Sequence, residues 1–290
     1  MGETPFRVAF QGELGAFSEE AIQQFWVGGA DSLPCRDFSD VIRAVQSGAA
    51  QRGLIPIENT IVGGIAAAHD AITAAPAVHA TGETVVNVHH CVLGPPGATF
   101  DGVKMVLSHP VALAQCGKFF ASQPRLEVHP VYDTGGAAHD VANVGDPEIA
   151  VVASRNAALR YKLSVLAPDI EDRADNQTRF LVIANAPEVV PTGTPARTTA
   201  IITHEDRPGS LLRVLEPLAR HGMDIRRLES RPTGNPWSYL FFLEFDHAFG
   251  EPVVRVVLEE MAAAASSLRL LGTYPRWNPG RRGSVGWHAT

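Results

Sequence analysis

Residues 175–183 read DNQTRFLVI. Asp175, Asn176 and Gln177 carry turn chemistry, and Phe180 to Ile183 form an apolar run that calls for burial. A hydroxyl, Thr178, and a guanidinium, Arg179, stand at the lip of that run. Successive strand residues point to opposite faces, so Thr178 shares a face with Phe180 and Arg179 takes the other. Two readings are open. Either the polar pair is the edge of a strand leaving solvent, or the strand carries a hydroxyl into a pocket. Just beyond it, ANAPEVVPTGTPART (184–198) is rich in Pro, Gly and Thr and reads as a linker. The stretch therefore closes one architecture before another begins.

Upstream, short apolar runs alternate with helical patterns. RVAF (7–10), GLIPI (53–57), VKMVL (103–107), LEVHPVY (126–132) and EIAVVA (148–153) read as strands. Each meets a turn of Ser, Thr, Asn or Gly before a helix. The repeated β-α order predicts an α/β fold with mostly parallel sheets. In such sheets the turns gather at the carboxyl ends of the strands, where ligands bind. Helix N-termini there present unpaired N–H groups, which suits a small ligand with several negative charges. Downstream, TTAIITHED, RPGSLLRVLEPLARHG, MDIRRLESRP, WSYLFFLEFD, PVVRVVLEEMAAAASSL and LRLLGTYP follow in the order β-α-β-β-α-β. That is the order of a ferredoxin-like unit.

Of the 290 residues, 45% are hydrophobic, enough for packed cores, and the length suits two domains. The net charge of −7 and the lack of a long basic stripe argue against nucleic acid. No apolar run reaches the ~20 residues that cross a bilayer. Three cysteines, Cys35, Cys91 and Cys116, make no disulfide framework and fit a reducing compartment. MGETPFRVAF shows no secretory pattern, so a cytoplasmic location is expected. NPGRRGSVGWHAT at the other end is expected to be disordered.

Several constellations could carry chemistry. GELGAFSEEA (12–21) is a Gly-turn with Ser18 as a helix cap. It lacks the G-x-G-x-x-G spacing and the P-loop lysine, so a nucleotide is not expected. PIENT (56–60) puts Glu58 and Asn59 at the end of a buried strand, where they could hold a substrate, while Asn59 or Thr60 could equally cap a helix. SHPVALAQC (108–116) places Ser108 at a helix start and Gln115 about two turns on. VHHC (88–91) offers His89, His90 and Cys91, but neighbours on a strand face opposite ways and no second cluster accompanies them, so no metal is expected. No G-x-S-x-G elbow supports a Ser-His-Asp triad.

Together GELGAFSEEA, PIENT, HHC, SHPVALAQC and above all DNQTRFLVI resemble prephenate dehydratase over about residues 7–186. The stretch from Tyr161 to Ile183, with Asp172 and then Thr-Arg-Phe, matches the family signature in spacing and type. The tail resembles the regulatory ACT domain joined to that enzyme: RPGSLLRVL looks like its Gly-Ala-Leu motif, with Ser210 for Ala, and LESRP (228–232) like its Glu-Ser-Arg-Pro motif. Thr60 stands where the family usually has Ser, Val111 where it has Gln, Asp224 where it has Asn and Arg226 where it has Ser or Thr.

The resemblance implies a two-lobed α/β catalytic unit over residues 5–186, like a type 2 periplasmic binding protein. Lobe one is expected at about 5–84 and 164–186, and lobe two at about 85–163. A ferredoxin-like ACT domain is expected at 197–276, with a tail at 277–290. It also implies a monofunctional, cofactor-free carbon–oxygen lyase that turns prephenate into phenylpyruvate, under phenylalanine control, as a homodimer or homotetramer. The family's essential residue falls on Thr178. Asn59, Ser108 and Gln115 are the expected substrate partners, with Ser18, Thr60 and Thr134 as cap-linked candidates and Phe180 as a pocket wall. Glu58 could orient a hydroxyl, though beside a dianion it would repel. Arg179 is either a carboxylate binder or a brace for the strand. Gly209, Ser210, Leu211, Leu212, Glu229, Ser230, Arg231 and Pro232 are the implied effector residues. The alternatives are arogenate dehydratase, a non-aromatising prephenate decarboxylase, and a two-lobed solute-binding protein.

Overall fold

A computed structural model describes residues 6–278. The tail expectation from 279 onward and the first five residues lie outside these. The chain runs β1 (Arg7–Gln11), α1 (Phe17–Phe25), β2 (Asp31–Cys35), α2 (Phe38–Gln46), β3 (Arg52–Asn59), a short β4 (Gly63–Gly64), α3 (Ala66–Thr73) and β5 (His79–Asn87). It then crosses to β6 (Cys91–Gly94), β7 (Met105–Ser108), α4 (Pro110–Ala114), α5 (Gly117–Ala121), β8 (Glu127–Pro130), α6 (Thr134–Val144), β9 (Ile149–Ala153), α7 (Arg155–Tyr161) and β10 (Ser164–Ala167). The strand of DNQTRFLVI, β11 (Gln177–Ala184), brings it back. β12 (Pro195–Thr203), α8 (Ser210–Arg220), β13 (Asp224–Pro232), β14 (Tyr239–Ala248), α9 (Pro252–Ala264) and β15 (Ser267–Pro275) complete the described chain.

The first sheet has the order β2-β1-β3-β11-β5, with β4 paired to β3, and the second β10-β6-β9-β7-β8. Along each of these paths two pairings are parallel and two antiparallel, and β4 adds a further antiparallel pairing to the first, so the sheets are mixed and not mostly parallel as the β-α repeats predict. The antiparallel half belongs to the strands beside the lobe crossings, which run back along the sheet without an intervening crossover helix. β10 pairs with β6, so residues 164–167, expected in lobe one, belong to lobe two. The return crossing therefore falls between β10 and β11. The third sheet, β13-β14-β12-β15, is antiparallel and carries α8 and α9, as the β-α-β-β-α-β order predicts.

The alternation in β11 sets the layers. Phe180 and Val182 join Val8, Phe10, Ile22 and Trp26 under α1. Leu181 and Ile183 join the opposite core, which takes in Val41, Ile55 and Ile72 of lobe one and also Ile201, Phe242, Leu271 and Tyr274 of the third sheet. Lobe one and the ACT-like domain thus share one apolar core.

Helix starts differ from the expected caps. Asp37 accepts the Asp40 N–H at the start of α2, and Asp133 accepts that of Gly136 one residue before Thr134. A carboxylate also complements the positive end of the helix, which favours it over a hydroxyl. Ala16 stands at the cap of α1 with Ser18 inside the helix, and His109 at that of α4 with Ser108 ending β7. Neither Asn59 nor Thr60 caps α3, which starts after Ile65.

Candidate active site between the lobes

The two crossings run side by side. Val88 N–H donates to Asn176 O, Ile170 N–H to His90 O, and His90 N–H to the Glu171 carboxylate. The lobes also meet at the loop 12–16. Ser154 Oγ donates to Gly15 O at 2.8 Å, Tyr161 OH to Leu14 O at 2.7 Å, and Arg160 pairs with the buried Glu19 at 2.9 Å. Gly135 makes this approach possible: a Cβ there would stand 2.8 Å from Leu14 O. The Gly-turn of GELGAF is thus a lobe contact.

At the cleft, Thr178 pairs with Asn59 across β11 and β3. The Asn59 amide oxygen accepts the N–H groups of Ile61 and Val62 at 2.9 and 3.0 Å. That turn orients its Nδ2 toward Thr178 Oγ1 at 3.0 Å, Gln177 O at 3.0 Å and Asn176 Oδ1 at 2.8 Å. Thr178 donates to none of the described residues, so its own proton is available to a ligand. From lobe two, Gln115 at the end of α4 accepts from Asn176 Nδ2 at 3.0 Å and meets His90 Nε2 at 2.9 Å. Three expected residues, Thr178, Asn59 and Gln115, therefore converge through a fourth, Asn176.

The other expected residues lie elsewhere. Ser108 is fully buried and donates to Val152 O at 2.7 Å, inside the second sheet. Ser18 is buried on α1, and Thr134 opens α6. Thr60 Oγ donates to Asp175 O and accepts from Gln177 N–H, which clamps the turn before Thr178. Phe180 belongs to the core under α1. Arg179 turns away from the cleft toward Glu58, Glu83 and Glu244 at 3.0, 3.1 and 2.7 Å. Glu58 is held by that ion pair. Of the two readings of Arg179, the geometry is that of a brace.

In the third sheet, alternation divides the implied effector motif. Arg227, Glu229 and Arg231 face lobe one: Arg227 donates to Ile57 O, Glu229 abuts Gly64, and Arg231 pairs with Asp70 at 2.8 Å. Leu228, Ser230 and Pro232 are exposed. Gly209 caps α8 in the left-handed region, and the buried Ser210 hydroxyl bonds to Glu205 O and Arg207 O. Leu211 packs into the domain core and Leu212 is exposed.

Burial pushes the Cys116 thiol up to about 12, helped by the Glu171 and Asp172 carboxylates, so it offers no thiolate nucleophile near neutrality. Burial also lowers the pKa of His90, against the opposing pull of its Gln115 hydrogen bond. His89, Asp169 and Glu171 approach within 4.8 Å of one another, but Arg155 holds both Asp169 oxygens while His89 and the His90 N–H take those of Glu171.

Asn176 is the residue that sequence reasoning passed over. Its signal was its place at the turn leading into β11, two residues before Thr178. His90 was weighed only as a metal ligand.

Fold and site define a two-lobed α/β enzyme with a polar cleft at its hinge and an attached βαββαβ domain. Residues 8–188 match the prephenate dehydratase family and residues 198–265 the ACT domain family. The chain belongs to the prephenate dehydratase family and is a dehydratase. It is 34% identical over 279 residues to arogenate dehydratase/prephenate dehydratase 2, chloroplastic, of Arabidopsis thaliana, covering 93% of this chain and 72% of that one. A solved structure described as GqqA, a novel type of quorum quenching acylases, is 32% identical with a TM-score of 0.86, over 94% of this chain and 99% of that one. Prephenate dehydratase of Arthrobacter aurescens in complex with L-Phe is 29% identical with a TM-score of 0.84, over 93% and 90%.

Proposed function

We propose that the enzyme takes prephenate and yields phenylpyruvate, CO2 and water, with Thr178 as the proton donor to the departing hydroxyl. The ring carboxylate leaves as CO2, and its bonding pair becomes a ring double bond. The ring C–O bond breaks, and the oxygen departs with a proton as water. Aromatisation drives the step, so the protein's task is to assist the oxygen's departure. The observation that carries this reading is the state of Thr178. Its Oγ1 accepts from Asn59, and its proton is committed to none of the described residues. An alcohol is a weak acid, so a positioned hydroxyl acts as a strong hydrogen-bond donor that is resupplied from solvent. Such assistance contributes about 10²–10⁴-fold. The Gln115 amide, on the lobe-two side, is the partner for a substrate carboxylate.

Turnover of prephenate beside arogenate tests the substrate. Arogenate carries an amine where prephenate carries a keto group, and faster turnover of arogenate would reverse the assignment.

Phenylalanine is the proposed effector, taken between ACT-like domains of paired copies. What supports this is the two-faced β13. Leu228, Ser230 and Pro232 on its outer face are exposed, while Glu229 and Arg227 on its inner face press on Gly64 and Ile57. Gly63 and Gly64 pair with Asn59 and Glu58, so a shift of β13 bears directly on the residue that holds Thr178. Titrating phenylalanine against activity and sedimentation checks this reading, and no change in either would sink it.

A further inference from the structure

We propose that Asn176 and His90 are positioning residues that fix which end of the Gln115 amide faces the substrate. The proposal rests on the reaction assigned above and names a part of its machinery that the catalytic hydroxyl does not reveal.

Hydrogen-bond direction along the network leaves one arrangement. Backbone N–H groups only donate, so Ile61 and Val62 require oxygen on the near side of the Asn59 amide. Its nitrogen then faces Asn176, which must answer with its oxygen. The Asn176 nitrogen is left to face Gln115, which must answer with Oε1. That oxygen is also the partner of His90 Nε2, so His90 must carry its proton on Nε2. Direction thus passes from two peptide groups, through three amides, to the tautomer of an imidazole on the lobe crossing.

The far end agrees. His90 Nδ1 is buried without a hydrogen-bond partner, so no acceptor there draws the proton away from Nε2. The ring is 2% exposed and packs edge-on to Phe17, at 5.5 Å between centroids. Burial lowers its pKa and favours the neutral form. With Oε1 held by two donors, Gln115 turns its NH2 to the cleft, the end that suits an anionic substrate. A free Gln115 could present its oxygen to the carboxylate instead and repel it.

The test is a double-mutant cycle on the full-length protein with prephenate. His90→Phe keeps the ring volume and removes the donor. We expect KM to rise about ten-fold, the scale of one hydrogen bond to a charged group, with kcat held within about three-fold. His90→Gln restores a donor and should recover most of the loss. In a Gln115→Leu background His90→Phe should add nothing. Additive losses, a fall in kcat alone, or no recovery in His90→Gln would overturn the proposal. The imidazole ¹⁵N spectrum of the wild-type protein reads the tautomer without turnover. A proton on Nδ1 would overturn the proposal even if prephenate is consumed. A protein that shows the Nε2–H form but leaves prephenate untouched would retain the network and lose the assigned reaction.

Discussion

At the scale of single residues, the site is a matter of which atoms donate. Thr178→Val should cost about 10²–10⁴-fold in kcat with KM little changed, and Thr178→Ser should keep part of the rate. Normal turnover by the valine variant would remove Thr178 from the chemistry. Asn59→Asp is a sharper probe. Its carboxylate still accepts from Ile61 and Val62 but cannot donate to Thr178, whose proton would then turn inward. A kcat loss approaching that of Thr178→Val is expected, and a rate near wild type would refute the role of the free proton. Titration at this scale has a definite sign. Burial lowers the folded-state pKa of His69 and of His90 from the ordinary 6.5. The unfolded chain therefore binds protons near pH 6.5 that the folded one refuses. The stabilisation is complete above pH 6.5 and is lost as the pH falls from there toward the folded-state values. Urea midpoints at pH 7.5 and 5.5 should show the drop, and a smaller one in His90→Gln. A midpoint that rises on acidification would contradict it.

At the scale of elements, β11 serves two masters through the alternation of its side chains. Thr178 faces the cleft, while Arg179 reaches Glu83 on β5 and Glu244 on β14. Both carboxylates are buried. Arg179→Met would leave Glu244 without its ion-pair partner and Glu83 with Arg197 and the Trp277 N–H. A loss of about 3–5 kcal/mol is expected from urea unfolding, and a change under about 1 kcal/mol would show the pair to be dispensable. The two faces of β11 were legible in the sequence. The partners of Arg179 were not, because Glu83 and Glu244 stand 96 and 65 residues away along the chain. Thr178, Asn59 and Gln115 were legible through a motif. Asn176 was hidden because a polar residue in a turn looks like any other cap until both neighbouring strands are in place. Ser108 misled for the same reason: a hydroxyl at a strand end has the same pattern whether it meets a ligand or the Val152 carbonyl. The β-α order gave the layers, but strand direction in the antiparallel halves depends on where the chain changes lobe, and no local pattern records that.

At the scale of the whole molecule, the regulatory-type domain is built into the enzyme. One core takes residues from lobe one and from β12, β14 and β15, and Gly272 packs on the backbone of Ala80 so closely that a Cβ would clash. Arg269 adds hydrogen bonds to Ile72 O and Ala75 O where α3 ends. A chain cut after residue 186 would expose the lobe-one half of that core. It should aggregate or melt well below the full-length protein in a thermal scan, and an equally stable truncated enzyme would show that the shared core contributes little. Among the described residues, lobe two shares no such core with the third sheet. It meets lobe one through the crossings and the polar contacts at loop 12–16. Gly135→Ala, which pushes on Leu14 O, should therefore weaken lobe closure and raise KM more than it lowers the melting temperature.

The place of β11 in the first sheet also dictates an order of assembly. It lies between β3 and β5, so β5 has no partner in that sheet until residue 184 has been made. Lobe two, from β6 to β10, is continuous and is wholly synthesised by then. On the ribosome, the second lobe is thus the first that can complete its hydrogen bonding, and the lobe that begins the chain must wait for it. Protection of amides in β9 before those in β5 during synthesis would record that inversion.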